Sequence, residues 1–238
     1  MLSIIIPARN ESDNLKDILD YFTKNLIDIE YEVVLINDFS NDDTLDKANS
    51  LFKLHKQFRV FDNQKKGLGG AINTGIQKSN GSKIAIMMAD LSDDIKDLIK
   101  YNNIMDEKKV DAVLGSRFIK GSIVKDYPFK KLLFNRAFNF LVRIIFWNKY
   151  NDYTNAFKIY KADVLKTMSP FVSESFNIFL EIPLKIISRN YSYELISINW
   201  FGRKKGSAKF KIKELRSKYL FTLIYCFIEK ILLKIKKQ

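Results

Sequence analysis

The sequence predicts an α/β protein built on a mostly parallel, doubly wound sheet, and three observations predict it. Between residues 3 and 114, short apolar runs alternate with segments of helical periodicity, an order that places helices on both faces of a parallel sheet. The runs are continuously apolar, most clearly at residues 84–89, as strands buried on both faces should be. Polar and acidic residues gather where the runs stop, at Asn37-Asp38 and at Asp90. Open α/β sheets bind their ligands there, outside the carboxyl ends of the strands.

Residues 3–6 form the first strand, and Pro7-Ala8-Arg9-Asn10-Glu11-Ser12 is the loop at its carboxyl end. Ser12 or Asp13 then caps a helix carrying Leu15, Ile18, Leu19 and Phe22 on one face. Residues 31–36 are a second buried strand, followed by the polar loop 37–44 and a helix through Ala48, Leu51 and Leu54. A third, shorter strand covers residues 58–61. The cluster Lys65-Lys66-Gly67-Leu68-Gly69-Gly70-Ala71 leads into a helix ending near residue 79. Its spacing is neither that of a dinucleotide fingerprint nor of a P-loop. It is either a loop whose N–H groups approach phosphate at a helix N-terminus or a tight turn.

The apolar run at 84–89 is the most buried strand, and it ends at Asp90. Ser92, Asp93 or Asp94 can cap the helix that follows over residues 95–105. A strand at 111–114 runs into Gly115-Ser116-Arg117-Phe118. Here the pattern changes to a long helix over residues 130–147, apolar over a wide arc but interrupted by Lys131, Arg136 and Arg143. It carries too many charges to span a bilayer, and reads either as an interfacial helix with basic anchors or as a core helix. Then come a polar loop at 151–158 before a short strand, a helix from Asp163, and a helix over 176–187 bearing Glu181. An edge strand at 195–200 and a basic loop at 201–210 follow. Residues 219–233 have apolar side chains at helical spacing, and this stretch of 15 residues is shorter than the roughly 20 that cross a membrane. It is read as an amphipathic helix lying on one, with packing onto the domain or pairing with another copy as alternatives.

With 238 residues and 47% hydrophobic content, the chain is long enough for one sizeable core with an appendage. One cysteine, Cys226, excludes an intrachain disulfide, and one histidine, His55, excludes a His-rich metal site and disfavours a Ser-His-Asp arrangement. Both features point to a reducing compartment and to chemistry carried by carboxylates and cations. The apolar residues 2–6, with no basic residue ahead of them, are expected to be a first strand, not a signal peptide. The sequons at Asn10, Asn80 and Asn190 are then chance matches. A net charge of +13 attracts phosphate, nucleic acid or anionic lipid. The basic residues concentrate between residues 203 and 218, where Glu214 is the only acid.

In their order and spacing these motifs resemble the inverting family 2 glycosyltransferases, in particular the dolichol-phosphate mannose synthase-like, polyprenyl-phosphate branch, from residue 3 to about residue 211. Ile4-Ile5-Ile6-Pro7-Ala8-Arg9-Asn10-Glu11 resembles the opening strand and nucleotide loop, with Arg9 where tyrosine or phenylalanine is usual. Ile36-Asn37-Asp38-Phe39-Ser40 resembles the loop whose Asp holds the base, with Asn37 replacing one acid of a frequent pair. Met88-Ala89-Asp90-Leu91-Ser92 is similar to Asp-Ala-Asp-Leu-Gln, with Met88 in place of the first acid. Gly115-Ser116-Arg117-Phe118 matches Gly-Ser-Arg-Tyr, whose Arg meets phosphate. Arg203, Gly206, Ser207 and Lys209 match a late Arg-x-x-Gly-x-Ser-x-Lys motif that closes over the donor. Residues 151–158 resemble Asp-x-x-Ser-Gly-Phe-Arg, with Asn155-Ala156 for Ser-Gly.

The resemblance implies a GT-A type fold, with a catalytic domain at residues 1–211 and a basic, membrane-associating tail at 212–238. It implies a nucleotide-sugar donor bound by Pro7, Arg9, Glu11, Ile36, Asp38, Ala89 and Ser92. A divalent cation, Mg2+ or Mn2+, would sit on Asp90 and Ser92, with water and the donor diphosphate completing its shell. Asp90, Arg117, Arg203 and Lys209 are the expected catalytic set, because departing diphosphate charge must be neutralised. A polyprenyl phosphate acceptor is already ionised and needs no general base; this places the protein peripherally on the cytoplasmic face of an anionic membrane. The alternative is transfer to a sugar hydroxyl in glycolipid or surface-polysaccharide assembly, which requires a carboxylate base such as Asp152 or Glu181. A basic α/β protein that binds RNA is a third reading. It is disfavoured by the acidic loops and by the lack of a nucleic-acid motif.

Overall fold

The computed structural model describes residues 1–202 and 212–235. Its main sheet has the strand order β3-β2-β1-β4-β7-β5-β8. These are β1 Leu2–Ala8, β2 Tyr31–Asn37, β3 Phe58–Asp62, β4 Lys83–Ile86, β5 Ala112–Ser116, β7 Lys158–Lys161 and β8 Tyr193–Ser197. The pairs β1–β2, β1–β4, β2–β3 and β5–β8 are parallel. Strand β7 is inserted between β4 and β5 and is antiparallel to both. The carboxyl ends of β1 to β5 and β8 therefore share one edge, and the start of β7 at Lys158 meets them there, opposite Ile86 and Leu114.

Side chains alternate between two cores, as the period of a strand requires. Ile4, Ile6, Val33, Leu35, Ala85 and Val113 face α1 (Leu15–Asn25), α2 (Thr44–Phe52) and α4 (Ile95–Lys108). Ile5, Val34, Ile36, Ile84, Ile86 and Leu114 face α3 (Leu68–Lys78), α6 (Ala162–Met168) and α7 (Ile178–Ser188). The doubly wound sheet expected from the strand–helix alternation is present. Two more helices join the second core: α5 (Phe129–Phe146) through Val142 and Phe146, and α8 (Ile212–Ile235) through Leu223 and Cys226.

Several local expectations are corrected. Neither Ser12 nor Asp13 caps α1; a short 3-10 turn, Ser12–Asn14, leads into it, and neither Glu11 nor Asn14, the residues at the two cap positions, makes a side-chain cap bond. The central strand stops at Ile86, where its ladder with β7 runs out. Met87 still donates its N–H to Ile5 O at 3.0 Å before the chain turns through Leu91, at φ 53°. The expected edge strand at 195–200 is two elements. β8 ends at Ser197, and β9 (Trp200–Phe201) pairs separately with β6 (Val124–Lys125). The last helix is 24 residues, longer than expected, yet no described helix is long and apolar enough to cross a membrane.

Candidate active site

The loops after β1 and β2 leave the shared edge side by side and are tied together. Asp38 N–H donates to Ala8 O at 2.7 Å, Asn10 N–H to Ser40 Oγ at 3.0 Å, and Glu11 N–H to Thr44 Oγ1 at 2.9 Å. Asn41 N–H returns to Asn10 Oδ1 at 2.8 Å. With each bond contributing about 1 kcal/mol net, the two loops form one platform. Pro7 and Ile36 are buried in its supporting strands, Arg9 is half-buried above them, and the buried Glu11 accepts Asn14 Nδ2 at 2.6 Å.

Asp38 is 5% exposed. Its Oδ1 accepts the N–H of Gly67 and Nδ2 of Asn63, both at 2.7 Å. The glycine cluster is therefore a tight turn bonded to the second loop. Gly67 adopts φ 113°, and a Cβ on Gly70 would lie 1.7 Å from Lys65 O, so the turn tolerates no larger residue. Asn63 was missed in the sequence, although it stands one residue past a strand end, as Asp38 does.

Asp90 is half-buried and its Oδ1 accepts the Ser92 N–H at 3.2 Å. Ala89 and Ser92 are buried on either side, and Ser92 O accepts the N–H of Phe201 at 3.1 Å. Of the three residues that could cap α4, Asp94 does so, accepting Lys96 N–H at 3.0 Å. Asp93 instead turns inward. It is 3% exposed and its Oδ2 has no hydrogen-bond partner. Burial and the charge of Asp90 push its carboxyl up to about 7, against the pull of Arg117.

Arg117 lies in the same layer. Its Nε and Nη2 donate to Asp152 at 2.8 and 2.7 Å, and its backbone N–H adds a third bond at 2.9 Å. Burial lowers the guanidinium pKa, but the Asp152 charge outweighs it and raises the value overall. Asp152 takes only the Nε–Nη2 edge of the guanidinium. Lys158 Nζ, fully buried, donates to the carbonyls of Tyr153 and Asn155, and burial pushes it down to about 7. Below Asp90 there is thus a buried layer of two acids and two bases, of which only Arg117 and Asp152 are bonded to each other.

Phe118, next in sequence, has the guanidiniums of Arg117 and of Arg136 on α5 over its ring, 5.3 and 5.6 Å from the centroid. Behind it opens a cavity of about 530 Å³ whose walls include Phe118, Phe129, Leu133, Phe140, Arg136 and Arg143. It gives onto the exposed side of α5.

Residues 3–169 match the sequence model of Glycosyl transferase family 2, well over half of the chain. The chain belongs to this family. Within it, the chain is 28% identical over 217 residues to a dolichol-phosphate mannosyltransferase of Pyrococcus furiosus, covering 89% of this chain and 60% of that protein. It is 27% identical to a dodecaprenyl-phosphate galacturonate synthase of Rhizobium johnstonii, over 69% of this chain and 49% of that one. It is 25% identical to a dolichyl-phosphate beta-glucosyltransferase of Dictyostelium discoideum, over 84% and 66%. The chain thus spans between half and two thirds of the length of these relatives. Among solved structures, glucosyl-3-phosphoglycerate synthase from Mycobacterium tuberculosis with Mn2+, UDP and phosphoglyceric acid superposes with a TM-score of 0.73, at 14% identity, over 95% of this chain and 78% of that one. The same enzyme with Mg2+ and UDP gives 0.72 at 15% identity over 95% and 79%. At that identity the likeness concerns the fold, and the fold is the expected GT-A type.

The structure brings Pro7, Arg9, Glu11, Ile36, Asp38, Ala89, Asp90, Ser92 and Arg117 of this family 2 chain to one edge of the sheet. The expected contributions of Arg203 and Lys209 lie outside the described residues. Asp93 and Lys158 escaped the sequence reading. The first looked like one of several caps, and the second like the basic end of a loop motif.

Proposed function

We propose that the protein transfers a sugar from a nucleotide-sugar donor to a polyprenyl phosphate at a membrane surface. The observation that carries this reading concerns the two carboxylates on which a hydroxyl acceptor would depend. Both are spent internally. Asp152 is fully buried and bonded to Arg117, and Glu181 is fully buried and accepts the N–H groups of Val172 and Ser173 at 3.1 and 2.8 Å. An acceptor that arrives ionised needs neither. The names of the relatives in Pyrococcus, Rhizobium and Dictyostelium agree with a lipid phosphate.

Asp38 and the tied loops suit the base and ribose, and Asp90 with Ser92 suits the diphosphate end. Their donor atoms are all oxygen, which fits Mg2+ or Mn2+. With Met88 in place of a second acid, and with no described group of three or more His, Cys, Asp or Glu arranged for a metal, water and diphosphate oxygens would supply the other ligands. Such a cation, when bound, offsets the charge of the departing diphosphate. Asp90 anchors that end of the donor, and the layer of Arg117 and Lys158 beneath it favours developing negative charge.

The cavity behind Phe118 supports the lipid acceptor: apolar walls suit an isoprenyl chain, and Arg136 and Arg143 a phosphate. Its wall on α5 belongs to a helix that carries further exposed apolar side chains, as α8 does. Phe134, Phe140, Leu141, Ile144 and Trp147 lie at α5 or its end, and Phe221, Ile224, Ile228 and Leu232 on α8. The helices touch through Phe138–Tyr219 and Phe146–Phe227. Exposed apolar surface of this extent marks an interaction site, and in sequence the basic residues concentrate between 203 and 218, leading into α8.

The test uses the full chain, UDP-, GDP- and dTDP-sugars, and anionic vesicles containing polyprenyl phosphate, with a soluble glycoside as rival acceptor. Sugar should appear on the lipid phosphate. Replacing Phe140, Ile144, Phe221 and Ile228 with glutamate should release the protein from vesicles and slow lipid transfer more than donor hydrolysis. Transfer to the glycoside alone, or vesicle binding that survives the four substitutions, would overturn the reading.

A further inference from the structure

Glu181 lies in the first turn of α7, far from the platform that holds Asp38, yet a short series of contacts joins the two. A buried carboxylate is costly unless its oxygens are bonded and its charge is paired. Here both conditions are met. Oε1 accepts Val172 N–H, Oε2 accepts Ser173 N–H, and Lys185 Nζ stands 3.5 Å from Oε1. Burial lowers the Lys185 pKa, but Glu181 and Glu229 of α8 outweigh it and raise the value. Ser173 is held from its other side by α8, through a 3.2 Å bond between Ser173 Oγ and Thr222 Oγ1.

The segment fixed in this way is the surface on which the glycine turn rests. A Cβ on Gly69 would fall 1.8 Å from Ser173 O, and one on Gly67 2.7 Å from Glu174 O. Gly69 N–H donates to that same Glu174 O at 3.1 Å. Gly67 N–H is then aimed at Asp38 Oδ1, 2.7 Å away. No step in the series is loose: each is a hydrogen bond or a contact too close to admit a side chain.

We infer that Glu181 is a positioning residue for the donor nucleotide, acting through residues 172–174 and the Gly67–Gly69 turn to hold Asp38 in one orientation. This rests on the reading of Asp38 as the acid that holds the base. A carboxylate suits the task better than an amide, because two N–H groups converge on it and an amide offers a single acceptor oxygen.

The test is Glu181→Gln in the full chain, with calorimetry against UDP, GDP and dTDP, using whichever binds the wild-type protein. Nucleotide affinity should fall about tenfold, or about 1.4 kcal/mol. The donor KM should rise in step with kcat kept within about twofold, and the Gly67 and Gly69 amides should exchange faster with those of β1 and β2 unchanged. Thr222→Val removes the hydroxyl that braces Ser173, and with it the acceptor of Asn177 Nδ2 at the start of α7; it leaves Glu181 and its two N–H partners in place and should give a smaller loss of the same kind, which keeps the test alive if Glu181→Gln fails to fold. Asp38→Ala separates two failures. If it weakens binding while Glu181→Gln and Thr222→Val do not, this inference alone falls; if it leaves binding unchanged, the donor-site reading falls as well. A lower melting temperature with unaltered affinity would make Glu181 a packing residue and overturn the proposal.

Discussion

Glu32 and Asp93 are equally hidden, each 3% exposed, at opposite ends of the sheet, and their carboxyls are pushed in opposite directions. At the amino end of β2, burial would raise the Glu32 pKa. Hydrogen bonds from Ser3 Oγ at 2.6 Å, Asn80 N–H at 2.6 Å and Arg59 at 2.7 Å reverse this and hold it below the ordinary value. Past the carboxyl end of β4, Asp93 has an oxygen with no partner and Asp90 for a neighbour, and it rises to about 7. One end of the sheet has its charges satisfied by the chain itself, while the other keeps unmet electrostatic demand. Strain of that kind persists where a ligand is expected to answer it.

The comparison is tested hardest at Asp90. Asp90→Asn should lower transfer by roughly 10²- to 10³-fold, the scale on which loss of one electrostatic contact to a transition state is felt, with circular dichroism unchanged. Asp94→Asn keeps an equally good cap and should stay within about twofold. Equal losses from the two would mean that the carboxyl edge is not specialised at Asp90. At the opposite end, Glu32→Gln should cost about 2 kcal/mol at pH 7, a fall in melting temperature of about 4–8 °C, with turnover preserved. Because the Glu32 pKa is lowered on folding, its contribution is present above 4.5 and is lost as pH falls through the lowered value. The cost of Glu32→Gln should therefore shrink in acid, and a cost that is flat with pH would refute the assignment. The smallest effect has the opposite sign. Asp93→Asn, measured without nucleotide or metal, should raise stability by about 1 kcal/mol, because it removes a buried charge that lacks a full set of partners. Destabilisation on that scale would show that the apparent demand at this edge is already met.

Much of the parallel half was legible because burial on both faces demands uninterrupted apolar runs. Each run leads within four positions to a polar residue of the site: Ile4-Ile5-Ile6 to Arg9, Val33-Val34-Leu35-Ile36 to Asp38, and Ile84-Ala85-Ile86 to Asp90. Strand β7 was readable as a strand but not as an antiparallel insertion, since Lys158-Ile159-Tyr160 carries no mark of direction. The fates of Ser92, Asp93 and Asp94 were equally hidden. All three are cap-forming residue types, and the left-handed turn at Leu91 decides which one faces the helix and which one the core. Glu181 was visible as an acid on a helix, but its two backbone partners come from the segment preceding α7, whose path depends on tertiary packing.

The sequence contains only two tryptophans, and the fold has set them in places that report on different events. Trp147, at the left-handed end of α5, is 89% exposed beside the apolar face of that helix. Trp200 is half-buried in β9, packed on Tyr127 at 5.0 Å and bridged to Asp93. Brominated lipid would quench the emission of the first on contact with a bilayer, whereas donor binding near Asp90 would shift that of the second. With either indole replaced by phenylalanine, the remaining one gives an optical record of a single event, so that the order of surface attachment and nucleotide loading can be timed without an added label.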